Sequence, residues 1–164
     1  MNATTLPRYL RIDTMLGGMI LAVSDAGLCG AWFDGQKHWP EMRDWRESRN
    51  DVVLREAAKQ LGAYFSGELQ AFDLPLDDSR GTPFQREVWA ALREVRFGRT
   101  TSYGAIARTI GKAAAVRAVG AAVGRNPLSV IVPCHRVLGA DGSLTGYAGG
   151  VERKRALLQL EGVL

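Results

Sequence analysis

A short polar run, Asp77-Asp78-Ser79-Arg80-Gly81, divides the chain into two segments whose charge and apolar spacing differ. Before it, apolar residues come in short clusters cut by Gly17-Gly18 and by Asp25-Ala26-Gly27. These clusters read as strands over Arg8–Thr14, Met19–Ser24 and Leu28–Phe33, because Gly and Asp mark turns between half-buried extended runs. Residues 34–50 are polar and Trp-bearing and read as a loop. Leu54, Ala57, Ala58, Leu61 and Phe65 then recur at three- and four-residue spacing, which predicts a helix from about Val52, ended by Gly67. Asp73–Leu76 reads as a short strand. The polar run itself reads as a linker.

Beyond it the chain is mainly helical. Thr82-Pro83 is a good cap and first-turn pair, and Phe84, Val88, Trp89, Leu92 and Val95 form one apolar face. After Phe97-Gly98-Arg99, Ser102 can cap a helix through about Ile110. Gly111-Lys112 makes a turn, and Ala113–Val123 reads as a second helix. Two short helices across a Gly-bearing turn fit a helix-turn-helix. A last helix, Val151–Leu160, has Leu157, Leu158 and Leu160 on its apolar face. The expected class is therefore α/β (α+β): a small sheet with a helix over 1–80, then a mainly helical domain over 81–164.

Charge divides at the same place. Residues 1–80 carry nine Lys/Arg against twelve Asp/Glu, and residues 81–164 carry twelve against five. A basic second half fits a polyanionic partner or a solvated basic surface. The helix Ala113–Gly124 also allows two readings. Its small side chains suit close packing in a core, or a slim helix entering a narrow groove with Arg117 as its one long side chain. It offers almost no Asn, Gln, Arg or Lys to read base edges, so any binding to DNA would read little sequence. The apolar runs fall far short of the ~20 residues needed to cross a bilayer. Met1–Thr14 has no long apolar stretch and is not expected to be a secretory signal. Two cysteines, Cys29 and Cys134, one near each end, do not suit a disulfide framework and point to a reducing cytoplasm.

Asn126-Pro127 ends the slim helix, and Ser129-Val130-Ile131-Val132 reads as a short buried strand running into Pro133-Cys134-His135-Arg136-Val137. A cysteine there with a histidine beside it is either a placed nucleophile or a buried structural thiol. A structural zinc site needs about four ligands, whereas Cys29, Cys134, His38 and His135 lack paired spacing, so no metal is expected. A papain-like arrangement needs a distant histidine, and His38 lies in a polar loop. A redox-sensing thiol would not account for the basic half or the slim helix.

The segment Pro133–Val137, preceded by Asn126-Pro127, closely resembles the active-site signature of the O6-alkylguanine-DNA alkyltransferases. The likeness extends through Thr82-Pro83-Phe84-Gln85 with Val88-Trp89, Thr101-Ser102-Tyr103-Gly104, Ala115–Gly120, Leu144–Gly150, and Lys154 to Glu161. The first half is similar in its strand-strand-strand-helix plan, which in this family resembles a ribonuclease-H-like fold. The resemblance implies DNA repair by direct, stoichiometric transfer of an alkyl group from O6-alkylguanine to Cys134, with O4-alkylthymine as a second candidate substrate and no cofactor. It makes Cys134 the acceptor, His135 its general base through a water, and Glu161 the group that orients His135. Tyr103 would donate toward the ring nitrogen of the leaving base and Lys154 would order the Cys134 region. The peptide groups of Cys134, Val137 and Ala148 would bind the base edge, Tyr147 would line the pocket, and Asn126 would hold the turn carrying the site.

The same resemblance implies double-stranded DNA as partner, bound through the minor groove with the damaged nucleotide flipped out. Contacts would come from Ser102, Tyr103, Ala115, Arg117, Ala118, Gly120 and Arg125, with Arg117 filling the vacated stack. The protein would act as a monomer, with clustering on DNA as an added option. The chain departs from some relatives at Gly124-Arg125, where they place a basic residue first, and it has no partners for Cys29 in a first-domain zinc site. Two other readings stand beside this one. A non-catalytic lesion-binding protein of the alkyltransferase-like kind would lack the acceptor cysteine, which this chain keeps. A transcriptional regulator would need base-reading side chains on Ala113–Gly124.

Overall fold

The computed structural model describes residues 5–164; residues 1–4, which open the segment read as lacking a secretory signal, lie outside the described residues. The first half is a four-stranded sheet in the order β3-β2-β1-β4, with β1 Arg8–Thr14, β2 Gly17–Val23, β3 Leu28–Phe33 and β4 Arg46–Glu47. β1, β2 and β3 run antiparallel, and β4 joins β1 in parallel at Arg8 and Tyr9. The helix α1, Val52–Phe65, packs on this sheet. Asp51 caps it through Leu54 N–H at 3.0 Å, and Gly67 leaves it at φ 82°.

Alternation along β2 is satisfied on both faces. Met19, Leu21 and Val23 enter the main core, while Ile20 and Ala22 join Cys29 and Trp32 on the other side. Tyr9, Met42 and Trp45 close that second cluster, and the Trp32 and Trp45 rings lie 6.0 Å apart. The segment 34–50 thus does more than connect elements, since its apolar members cover a sheet face and its end supplies β4. Gly30 is required there, because a Cβ would fall within 1.8 Å of the Trp32 ring.

The second half contains α2 Pro83–Arg93, α3 Tyr103–Thr109, α4 Val116–Gly124 and α5 Val151–Leu160. A two-stranded parallel pair, β5 Thr101–Ser102 with β6 Val137–Leu138, accompanies them. Thr82 and Gln85 form a reciprocal capping box at the start of α2. One apolar core runs across the polar break: Phe33, Leu61 and Tyr64 from the first half share it with Trp89, Leu92, Val119 and Leu157 from the second. The β3 edge receives the second half directly. Ala31 N–H donates to Pro127 O at 2.8 Å, and Ser129 N–H donates to Ala31 O at 3.0 Å.

Several local expectations change. The β1–β2 turn is Met15-Leu16, tied by Thr14 Oγ1, and Gly17 opens β2 at φ 109°. Asp73–Leu76 makes only a single bridge, Leu28 to Leu76. Ser129–Val132 is a buried turn rather than a strand. Val132 N–H closes on Leu128 O at 2.8 Å and Val130 sits at φ 73°, a costly conformation for a β-branched residue. The second helix of the pair begins at Val116, because Lys112-Ala115 forms a turn and Ala115 offers no capping oxygen.

Candidate active site

The turn 128–132 delivers Pro133 and a one-turn 3-10 helix, Cys134–Arg136, into the core. Asn126 holds this turn. Its Oδ1 accepts from Leu128 N–H at 3.0 Å, and its Nδ2 donates to Val132 O at 2.8 Å and to Cys134 Sγ at 3.1 Å. Cys134 is 5% exposed. Burial pushes its thiol up to about 11, against the Asn126 hydrogen bond and the charge of Lys154, which favour the thiolate. Such a thiol is protonated at neutral pH and needs a base at the moment of reaction.

The imidazole next in sequence is paired with a carboxylate. His135 Nε2 lies 2.7 Å from Glu161 Oε2, and both side chains are fully buried. Burial would raise the Glu161 carboxyl, but hydrogen bonds from His135 and Arg136 outweigh it and hold the group down to about 2. An ionised carboxylate only accepts, so Nε2 carries the proton and Nδ1 presents a lone pair. Nδ1 is buried and has no hydrogen-bond partner in the protein. Burial also lowers the His135 pKa, partly opposed by Glu161, so the ring is neutral at neutral pH.

Arg136 and Tyr64 complete the surroundings of Glu161. Arg136 Nε donates to Oε1 at 2.8 Å and Nη2 to Oε2 at 3.0 Å, while the Tyr64 hydroxyl donates to Oε2 at 2.6 Å. Neither was singled out from the sequence. The only trace of Tyr64 there is its place on α1 beside Phe65, and its partner lies 97 residues away.

Beside Cys134 is a cavity of about 260 Å³, lined by residues including Tyr103, Gly120, Cys134, Tyr147 and Ala148. Tyr103 meets Thr145 Oγ1 at 2.9 Å. The Tyr147 hydroxyl is buried without a partner. Lys154 is wholly buried and donates to Val137 O at 2.6 Å and Thr145 O at 3.3 Å, tying the strand after the 3-10 helix to the loop that bears Tyr147. The cavity also has a wall from the first half: Lys37 N–H donates to Ala148 O at 2.9 Å, and Lys37 and His38 line the opening. Sequence spacing gave no sign of this, since His38 lies in the polar loop.

Of the remaining expected residues, Gly120 lines the cavity and the others do not. On α4, Val119, Ala122 and Val123 are buried, whereas Arg117, Ala118 and Ala121 are exposed, and Arg125 is exposed at its end. A Cβ on Gly124 would meet nothing within 4 Å, and one on Gly120 would touch only Tyr103 at 3.8 Å. The small side chains on that face are therefore not imposed by packing within the chain. Ala115 is half-buried at the helix start, and the Ser102 hydroxyl is used as a cap, accepting from Ala105 N–H at 3.1 Å. Among the described residues no three His, Cys, Asp or Glu side chains gather as metal ligands would, and no helix is long and apolar enough to cross a membrane.

Residues 8–77 match the model of the 6-O-methylguanine DNA methyltransferase ribonuclease-like domain, and residues 83–163 match that of the DNA binding domain of the same family. The chain is 48% identical to the methylated-DNA–protein-cysteine methyltransferase of Mycolicibacterium paratuberculosis, over 93% of this chain and 91% of that one. It is equally similar to the Methanosarcina acetivorans protein of the same name, over 94% and 97%. The crystal structure of Mycobacterium tuberculosis OGT in complex with DNA superimposes with a TM-score of 0.87 at 47% identity, covering 94% of this chain and 92% of that one. The Pyrococcus kodakaraensis O6-methylguanine-DNA methyltransferase gives 0.69 at 26% identity, over 96% and 100%. Both halves of the sequence thus carry the same relationship, and the chain belongs to the 6-O-methylguanine DNA methyltransferase family.

Proposed function

We propose that Cys134 is the residue that takes the alkyl group, with His135 as its general base and Glu161 as the orienting carboxylate. The protein repairs DNA by alkyl transfer to a cysteine, as its family does. What supports this assignment is one observation: Cys134 lines a cavity of about 260 Å³ while Glu161 accepts the Nε2–H hydrogen bond of the histidine next in sequence, leaving the buried Nδ1 with a lone pair and no partner.

In the proposed step the sulfur attacks the alkyl carbon in line with its bond to O6. The S–C bond forms as the C–O6 bond breaks, and the thiol proton passes through a water to His135 Nδ1. Glu161 stabilises the resulting imidazolium. Guanine leaves with the electron pair of the broken bond and takes a proton from Tyr103, whose hydroxyl is reprotonated from solvent. Val137 and Ala148 peptide groups bind the base edge, Tyr147 lines the pocket, and Lys154 keeps both segments in register. The alkyl donor is the lesion itself, so no cofactor is required. The thioether is a poor leaving group, so each molecule acts once. O4-alkylthymine is a second candidate substrate.

The damaged duplex lies along the exposed small-residue face of α4, in its minor groove, contacted by Ser102, Tyr103, Ala115, Ala118, Gly120 and Arg125, with the nucleotide extruded into the cavity and Arg117 in its place. The exposed Ala118 and Ala121 support this, because their smallness serves nothing inside the chain. We assign residues 1–80 and 81–164 as two units joined by one core, acting as a cytoplasmic monomer. Intact-protein mass after mixing with an O6-methylguanine oligonucleotide tests the assignment: one methyl group is expected, on Cys134, and methylation elsewhere or more than one repaired guanine per molecule overturns it.

A further inference from the structure

We propose that Tyr64, on the first-half helix α1, is a positioning residue for the transfer reaction, fixing the Glu161 carboxylate and limiting how strongly it pulls on His135. This rests on the assignment of the His135–Glu161 pair above.

The geometry separates what Tyr64 does from what the core needs. Arg136 alone engages both oxygens of Glu161, at 2.8 and 3.0 Å, a forked pairing that favours the ionised carboxylate. The Tyr64 hydroxyl adds a third hydrogen bond to Oε2, the oxygen His135 uses, at 2.6 Å. Donors sharing one oxygen compete for its electron density, so the short phenol bond weakens the hold of Glu161 on the imidazole. The ring of Tyr64 packs among Phe65, Phe72 and Phe97, with centroids 5.4, 5.5 and 6.2 Å away. A phenylalanine would fill that aromatic cluster equally well, so packing does not call for the hydroxyl.

His135 is sensitive to this arrangement because of what faces it. Arg136 from its own turn and Lys154 from α5 disfavour the imidazolium, and Glu161 at the end of α5 favours it. Cys134 adjoins it in sequence, and Tyr64 reaches it through Glu161. Any change in the basicity of Glu161 therefore appears at the imidazole.

The test uses the full chain and the pH dependence of single-turnover transfer, whose acid limb marks protonation of His135. Tyr64→Phe removes one donor from Oε2, makes Glu161 more basic, and should move that limb to higher pH by about half a unit or more. The imidazole resonance of His135 should titrate with the same shift. Installing 3-fluorotyrosine at position 64 keeps the ring and strengthens the donor, so both readouts should move to lower pH; this variant decides the matter should Tyr64→Phe fold poorly. If neither substitution moves the limb or the resonance while Glu161→Gln slows transfer, Tyr64 is a core aromatic only and the proposal fails alone. If Glu161→Gln leaves transfer at the native rate, the relay reading falls and takes Tyr64 with it.

Discussion

Asn126 and Cys134 are joined directly, Nδ2 of the amide donating to Sγ at 3.1 Å from a position 4% exposed. The same side chain accepts from Leu128 N–H at 3.0 Å and donates to Val132 O at 2.8 Å. One residue at the end of α4 therefore sets the turn at Val130, the approach of Pro133 and the environment of the thiol. Because the turn also hangs on Ala31 of β3, the sulfur is located by both halves of the chain.

Asn126→Ala leaves the buried Leu128 N–H without its acceptor, a loss of about 1–3 kcal/mol in folding stability. The thiol loses a donor that favours its ionised form, so its pKa should rise further above about 11. Urea unfolding and the pH dependence of thiol alkylation read the two effects separately. Native thiol reactivity in this variant would make the Sγ contact one of packing alone.

Cys29 is as buried as Cys134, each 5% exposed, and burial raises both thiols, so burial does not distinguish them. What differs is the neighbour, since only Cys134 adjoins the cavity and the His135–Glu161 pair. Cys134→Ala should abolish methyl uptake while binding duplex DNA within about threefold of native, because phosphate contacts carry most of the affinity. Cys29→Ala should repair normally. Loss of transfer in Cys29→Ala with retention in Cys134→Ala would reverse the assignment.

Acid should destabilise the fold through the same buried pair. Glu161 is held down to about 2 from an ordinary 4.5, so its contribution is present above pH 4.5 and lost as pH falls through about 2. His135 is lowered from 6.5 by burial, so protonation of the unfolded chain begins to cost stability below that pH. The two groups act in the same direction: unfolding free energy should fall from about pH 6.5 downward, most steeply below pH 4.5. Glu161→Gln should be less stable than native at pH 7, with the gap closing toward pH 2. It should also slow transfer by about 10²–10⁴-fold, the range of general-base assistance. A gap constant with pH would detach Glu161 from acid stability.

Local signals carried far in this chain. The Thr82-Pro83 cap, the α1 spacing ended by Gly67, and Ser102 as a cap were all legible, because each is decided within a few residues. Apolar content misled at Ser129–Val132, where burial comes from a turn folded into the core and held by Asn126, a tertiary effect with no period of its own. The motif around Cys134 pointed to the cavity, yet Tyr64 and Lys37 escaped notice and His38 was weighed only as a metal ligand or a distant catalytic histidine, since the first half reaches the site only through contacts distant in sequence. Exposure divides α4: Val119, Ala122 and Val123 serve the core, and Ala118 and Ala121 face outward.

That outward face gives Arg117 its consequence. In the proposed arrangement a nucleotide is extruded, at a cost of roughly a few kcal/mol of stacking and pairing that the protein would have to offset. Arg117 is exposed in the first turn of α4, with small residues around it and no hydrogen bond or ion pair to the rest of the described chain that would give it a structural duty. It is the group available to occupy the vacated stack. Arg117→Ala should slow repair within duplex DNA, whereas reaction of Cys134 with free O6-benzylguanine, which needs no extrusion, should change little. Losing one positive charge should also flatten the salt dependence of duplex binding by a slope of about one or less. The ratio of the two rates separates extrusion from chemistry. If both fall together, Arg117 acts on the fold or on the thiol, and the minor-groove arrangement along α4 loses its principal support.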